Sequence, residues 1–161
     1  MAKAPKPIEI KKGEVTYVSS VDRCQYTITE LSKMALRDVA KLLRQRVKAK
    51  SNIPVKSGNL KKNIGTWVRI NKATGKPELQ IGVYNRERAK KKNLSYAFYA
   101  MYLEFGTKKQ RPINGGKGFL KHIVNTSIED IRKIEGQYLE AIEDENKALG
   151  LIEDGEEIAD D

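Results

Sequence analysis

SYAFYAMYLEFGT, residues 95–107, followed by a basic glycine-rich loop and then by Gly118, Phe119 and Leu120, is the stretch on which the fold turns. Tyr96, Tyr99, Met101, Tyr102, Leu103 and Phe105 recur often enough at spacings of three and four to predict a helix, although a strand ending at Phe105 fits nearly as well. Gly106 and Thr107 stop the element. Glu104 sits between Leu103 and Phe105, so its charge must be paired or face water, because burying a lone carboxylate costs several kcal/mol.

Upstream, residues 66–70 (TWVRI) and 78–84 (ELQIGVY) alternate side chains, and the segment between them holds Gly75 and Pro77. That pattern predicts an antiparallel hairpin with a loop longer than two residues. Trp67, the sole tryptophan, is expected in a core or an interface, with an indole that stacks a base as the lesser alternative. Further upstream, Leu31, Met34, Ala35, Val39, Leu42, Leu43 and Val47 recur at helical spacing, and Thr27 with Glu30 has the spacing of a capping box, so a helix is expected from about 28 to 50. Its other face carries Lys33, Arg37, Lys41, Arg44 and Lys48 as a basic stripe, which reads either as a solvated face or as a track for phosphates. Pro54 and Gly58 forbid simple continuation, and Ser57 is placed to cap a short turn reaching Lys62.

Residues 1–7, with two prolines and two lysines, are expected to be a flexible arm. Ile8 and Ile10, then Gly13, then residues 15–18 (VTYV) suggest a short strand or hairpin that helps the sheet. Arg86, Arg88, Lys90, Lys91 and Lys92, opposed only by Glu87, are expected to form an exposed polar loop that either meets a polyanion or has no structural role. After the loop 107–118, Leu120, Val124, Ile128, Ile131, Ile134, Tyr138 and Ile142 predict one long helix. The helical pattern fails past Ala148, and residues 149–161 read as an acidic disordered tail. The expected fold is α+β, a single domain over residues 8–148 in which a small antiparallel sheet packs against an N-terminal helix and a long C-terminal helix.

The formal charge of +10 is unevenly spread. From Glu140 to Asp161 there are ten acidic residues and one lysine, so the body is near +19 and the tail near −9. A basic body points to a polyanionic partner or to a solubilising surface. Cys24 and His122 are the only residues of their kinds, which excludes an intrachain disulfide and an ordinary zinc site within one chain. No apolar run nears the roughly 20 residues of a membrane helix, and no secretory signal is seen, so a soluble protein made in the cytoplasm is expected.

Lys108, Lys109, Arg111 and Lys117 lie beside Gly115, Gly116 and Gly118, but the glycine-lysine-hydroxyl order of a phosphate-binding loop is absent. His122, Cys24 and Glu104 fall on three separate elements with no pattern linking them, and the folded body has no clustered carboxylates for a metal nuclease. No enzyme activity and no cofactor are expected.

Tyr102, Leu103, Glu104, Phe105, Gly106 and Thr107, a loop with Pro112, and then Phe119 and Leu120 opening a helix resemble the motif of the small neck or tail-completion proteins of long-tailed bacteriophages. Ser57, Gly58 and Leu60 with the basic pair Lys61 and Lys62 resemble a second motif of that family, in the same order and at a similar distance. The two pieces span residues 57–124; the chain departs from the pattern in its loop, where Pro112 precedes Phe119 by seven positions rather than one. The resemblance implies a virion protein that completes the tail or joins head to tail as a homo-oligomeric ring, a hexamer, around the DNA channel. Its partners would be further copies of itself, a head-completion protein, and a tail terminator or tail tube. Glu104 would then pair with a basic residue and pin the turn at Gly106, while Phe119 and Leu120 would seat the last helix on the sheet. Arg86, Arg88, Lys90, Lys91 and Lys92, with Lys41, Arg44 and Lys48, are the candidate contacts to DNA or to neighbouring proteins. A tail terminator ring and a free nucleic-acid-binding protein are the alternative readings.

Overall fold

The computed structural model describes residues 5–49, 58–144, 147–148 and 150–152. Ser57, expected to cap a short turn, most of the acidic tail and the start of the N-terminal arm lie outside them. The fold is α+β, with two small antiparallel sheets, one long N-terminal helix and shorter C-terminal helices.

The chain opens on a hairpin, β1 (Ile8–Lys12) and β2 (Val15–Ser19), turned at Gly13, whose φ is +64°. This hairpin is a sheet of its own and does not join the central one, which corrects the expectation that it would. Helix α1 (Val21–Lys48) follows and buries Leu31, Met34, Ala35, Val39, Ala40, Leu43 and Val47, the apolar stripe that its sequence foretells. It starts six residues before the expected capping box. Thr27 lies inside the helix and donates its hydroxyl to the Arg23 carbonyl (3.0 Å), and Glu30 pairs with Lys33 (2.5 Å), so neither serves as a cap.

Gly58, at φ +69°, leads into the short α2 (Asn59–Lys62), which places Leu60 in the core. The central sheet is β3 (Ile64–Ile70) against β4 (Pro77–Val83), with Ile64 opposite Val83, Thr66 opposite Ile81 and Val68 opposite Leu79. Side chains alternate across a strand, so these six residues share the face turned to α1. Buried Val39, Leu43, Val47, Leu60, Ile64, Ala97, Ala100, Phe119 and Ile123 form the main core, with Leu79, Ile81 and Val83 packed against it.

The basic segment is not a loop: residues Arg86–Lys91 form α3, capped by the Asn85 side chain, which accepts from the Arg88 amide (3.0 Å), and anchored by buried Ala89. The aromatic stretch forms α4 (Ala100–Phe105), the helical choice of the two that its spacing allowed. After α5 (Ile113–Gly116), the expected single C-terminal helix is two, α6 (Phe119–Thr126) and α7 (Ile128–Glu140). They meet at Ser127, which is wholly buried and accepts a hydrogen bond from Arg46 (2.8 Å). The same guanidinium pairs with Asp130, so one α1 side chain holds the junction.

Tyr138 on α7 donates its hydroxyl to Asp38 on α1 (2.5 Å). Burial first, then the hydrogen bond and the charge of Asp38, push this phenol above its ordinary value near 10. The neutral phenol is therefore the form the fold favours, and its contribution is complete below about pH 10 and lost as pH rises further. Tyr138→Phe is expected to flatten the alkaline fall of the thermal midpoint above pH 10 and to leave the slope near pH 7 unchanged. An unaltered alkaline slope would show that the pair does not form.

Ala148, Leu151 and Ile152 lie beyond a short 3-10 turn, Ala141–Glu143, and cluster with Leu31 and Tyr138. Packed chain therefore extends at least to Ile152, four residues past the expected boundary of the folded body.

Candidate interaction site: the Glu104 clamp and the uncovered aromatic helix

Nine apolar residues of the central stretch face three different ways. Ala97 and Ala100 are buried, Tyr99 and Leu103 are half-buried against the core, and Tyr96, Phe98, Met101, Tyr102 and Phe105 are exposed. Phe105 is 76% exposed, Met101 62% and Tyr102 56%, so these residues of the motif do not complete the core. A helix of six residues has only about a turn and a half, and Ala97, Ala100 and Leu103 use up the side that faces inward.

Glu104 does not pair with a basic side chain among the described residues. Its carboxylate accepts the backbone N–H groups of Leu120 (2.8 Å to Oε2) and Lys121 (3.1 Å to Oε1), the otherwise unsatisfied donors of the first turn of α6. The clamp closes only because two glycines let the chain pass. At Gly118, φ is +74° and an added Cβ would stand 2.5 Å from the Glu104 carbonyl oxygen. At Gly106, φ is +76° and a Cβ would stand 2.7 Å from the Gln110 carbonyl oxygen and 2.8 Å from Pro112 Cδ. Thr107 holds the loop between them: its hydroxyl accepts from the Gln110 amide (3.0 Å), and its own amide donates to the Gln110 carbonyl (2.8 Å). Phe119, wholly buried, and Leu120, half-buried against the core, follow directly. Glu104, Gly106, Thr107, Phe119 and Leu120 are thus brought together, while Gly58 and Leu60 sit apart on α2. Glu104→Ala is expected to cost about 1–3 kcal/mol by stripping two amides of a charged acceptor. Glu104→Gln should cost less, and equal midpoints for the two variants would deny the cap.

The charged candidates divide. On α1, Lys41 pairs with Asp38 (3.0 Å) and Lys33 with Glu30, so the stripe is partly neutralised by its own helix. Lys48 is part-buried, and its pKa is lowered by that desolvation and by the nearby charge of Arg44. On α3, Arg86, Lys90 and Lys91 are exposed, whereas Arg88 lies over the Trp67 ring (5.0 Å) and Lys92 over the Tyr84 ring (5.5 Å). Trp67 and Tyr84 meet edge to face at 5.9 Å. Their bed is made by glycines: a Cβ at Gly65 would stand 2.6 Å from Tyr84 and 2.9 Å from Trp67, and one at Gly82 would stand 3.4 Å from Trp67. This basic and aromatic ledge, on the face of the sheet away from α1, escaped the sequence reading; the signal was Gly65 two residues before Trp67, with Gly82 on the facing strand.

The geometry holds no chemistry-bearing cluster: among the described residues no three of His, Cys, Asp and Glu are grouped to hold a metal ion. No helix among them is long and apolar enough to cross a membrane. What the fold and site define is a small α+β protein with a clamped turn that presents an uncovered aromatic helix, and with a basic and aromatic ledge on its sheet. The chain belongs to the HK97-gp10-like family, whose model, described as "Bacteriophage HK97-gp10, putative tail-component", matches residues 17–106, from β2 to the glycine of the clamp. It is a bacteriophage tail component, and a structural part of the virion is in keeping with the absence of enzyme activity expected from the sequence. No curated protein matches the chain, and no solved structure matches it.

Proposed function

We propose that the protein is a structural component of the phage neck, a homo-oligomeric ring, sixfold, around the DNA channel, which completes the tail or joins it to the head. The observation that carries this reading is the set Phe98, in the turn before α4, and Met101, Tyr102 and Phe105 on α4, left in solvent while the inward side of the helix is already filled. Contiguous apolar surface of this type marks a protein contact. Rings use head-to-tail interfaces that close by rotation. Copies of the chain are the first partners, and a head-completion protein, a tail terminator or the tail tube are the neighbours above and below. Assembly would take place in the host cytoplasm.

The α3 ledge supports a role toward DNA or an acidic neighbour. Arg86, Lys90 and Lys91 extend from a surface that Arg88 and Lys92 already stiffen by lying on rings, and such contacts to phosphates are independent of base sequence. Neutralising Arg86, Lys90 and Lys91 together is expected to leave the folding stability within about 0.5 kcal/mol of the parent and to impair head-to-tail joining. Unimpaired joining would reduce the ledge to a solubilising surface. A filter-binding titration of the isolated protein decides against a free nucleic-acid-binding role if duplex binding is weak at physiological salt.

Electron micrographs of particles made without this protein test the main reading. Full heads beside finished, unattached tails are expected. Overlong tails would assign the chain to termination instead, and normal virions would remove it from the neck altogether.

A further inference from the structure

The β1–β2 hairpin has no partner of its own among the described residues. Its register puts the four apolar residues Ile8, Ile10, Val15 and Tyr17 on one face, with Ser19 and Lys12 at its two ends, and Glu9, Lys11, Thr16 and Val18 on the other. All four residues of the apolar face are more than half exposed. A lone two-stranded hairpin is marginal in water, so an amphipathic one with a dry face in solvent is built to be covered.

A groove of about 530 Å³ offers the cover. It runs between β4 and the helices α4 and α6, and Ile81, Gly82 and Val83 all border it. Successive residues of a strand point to opposite faces, so three in a row can line one groove only along the strand's edge. An open strand edge asks for another strand. Its floor is apolar, with Phe119, Leu120 and Val124, and its rim carries the exposed Met101 and Phe105.

We propose that the hairpin is an arm that pairs along the β4 edge of a second copy, its apolar face closing over that copy's α4–α6 groove. The hairpin cannot serve its own groove. It is tied to the start of α1 at Val21, whereas the groove belongs to the core around Val39, Leu43 and Val47, roughly 27 Å further along the helix at 1.5 Å per residue. A strand of five residues spans only about 17 Å. One chain thus carries a projecting half and a receiving half at separate places, the arrangement a head-to-tail ring repeats. The twelve residues Ile8–Ser19 supply about half of the roughly 20–30 residues a side in a standard interface. This inference rests on the ring reading for its biological setting and deepens it by naming the two surfaces.

Its test uses the full chain with the exposed Cys24 changed to Ser. Tyr17→Cys combined with Met101→Cys should give, on mild oxidation, a ladder of covalent oligomers. In a second experiment, Ile10→Asp with Tyr17→Asp breaks the hairpin's face and Phe105→Asp breaks the groove's rim. All three residues are exposed, so circular dichroism should match the parent. Each variant alone should be monomeric by light scattering, and their mixture should form dimers and nothing larger, since one intact hairpin then meets one intact groove. Hairpin variants that assemble like the parent overturn the proposal and leave the ring reading standing. So does a parent that stays monomeric and unlinked at high concentration, with the ring then decided by the micrographs. Oligomers of normal size that lose only a different virion protein would assign the hairpin to that neighbour and likewise overturn it.

Discussion

Gly106→Val will lower the thermal midpoint by about 5–20 °C and leave little soluble protein able to assemble. Two costs combine. Valine is held in a left-handed backbone region at φ +76°, a strain of about 1–3 kcal/mol, and its Cβ would stand 2.7 Å from the Gln110 carbonyl oxygen and 2.9 Å from the Pro112 nitrogen. Relief of that overlap costs roughly 1–3 kcal/mol more, against a total stability of about 5–15 kcal/mol for a domain of this size. Each kcal/mol is worth about 2–4 °C in a chain this long. Gly75→Val is the control, since Gly75 has a similar φ of +67° but open space around it, and it should show only the smaller, strain part. If the two variants melt alike, crowding at Gly106 plays no part and the clamp is looser than its geometry implies.

The contrast between these glycines shows where the sequence was legible. The apolar stripe of α1 was readable because 3.6-residue periodicity is imposed by burial, and all the residues singled out there except half-buried Leu42 lie in the core. Alternation along β3 and β4 was readable for the same reason at period two. The first turns of α1 were not, because Asp22, Arg23, Cys24 and Gln25 carry no apolar period and extend the helix beyond its buried part. The run at α3 reads as an exposed polar loop, yet one cap at Asn85 and one buried methyl at Ala89 suffice to hold a six-residue helix. The break at Ser127 was hidden because α6 and α7 keep the apolar spacing across it; the clue lay in the poor helix formers Asn125, Thr126 and Ser127. Most instructive is Glu104. Its need for a partner was plain from its neighbours, but the partners are backbone amides 16 and 17 positions on, and no side-chain pattern announces a helix end folding back onto a carboxylate.

Phe119→Ala is expected to cost about 3–5 kcal/mol, the range for emptying a buried phenylalanine site, and to lower the midpoint by roughly 6–20 °C. Phe119 is wholly buried among residues of α1, α2, β3 and α6, so no neighbour has room to collapse into the space. Phe105→Ala, fourteen positions earlier in the same motif, should change the stability by no more than about 0.5 kcal/mol, because the ring is three-quarters exposed. In the assembly assay the order reverses. Phe105→Ala should weaken self-association while its monomer remains fully folded, whereas Phe119→Ala protein that does fold at low temperature keeps every exposed residue of the α4 patch and, its ring lying only in the groove's floor, should lose less of its self-association. Two phenylalanines joined by one clamped turn thus separate the two tasks of the motif: one ring holds α6 down, and that anchoring, through the α6 amides on Glu104, fixes the angle at which the other ring meets a neighbour. If Phe105→Ala destabilised the isolated chain as much as Phe119→Ala, the exposed helix would belong to the core of the monomer and the case for an interface there would fail.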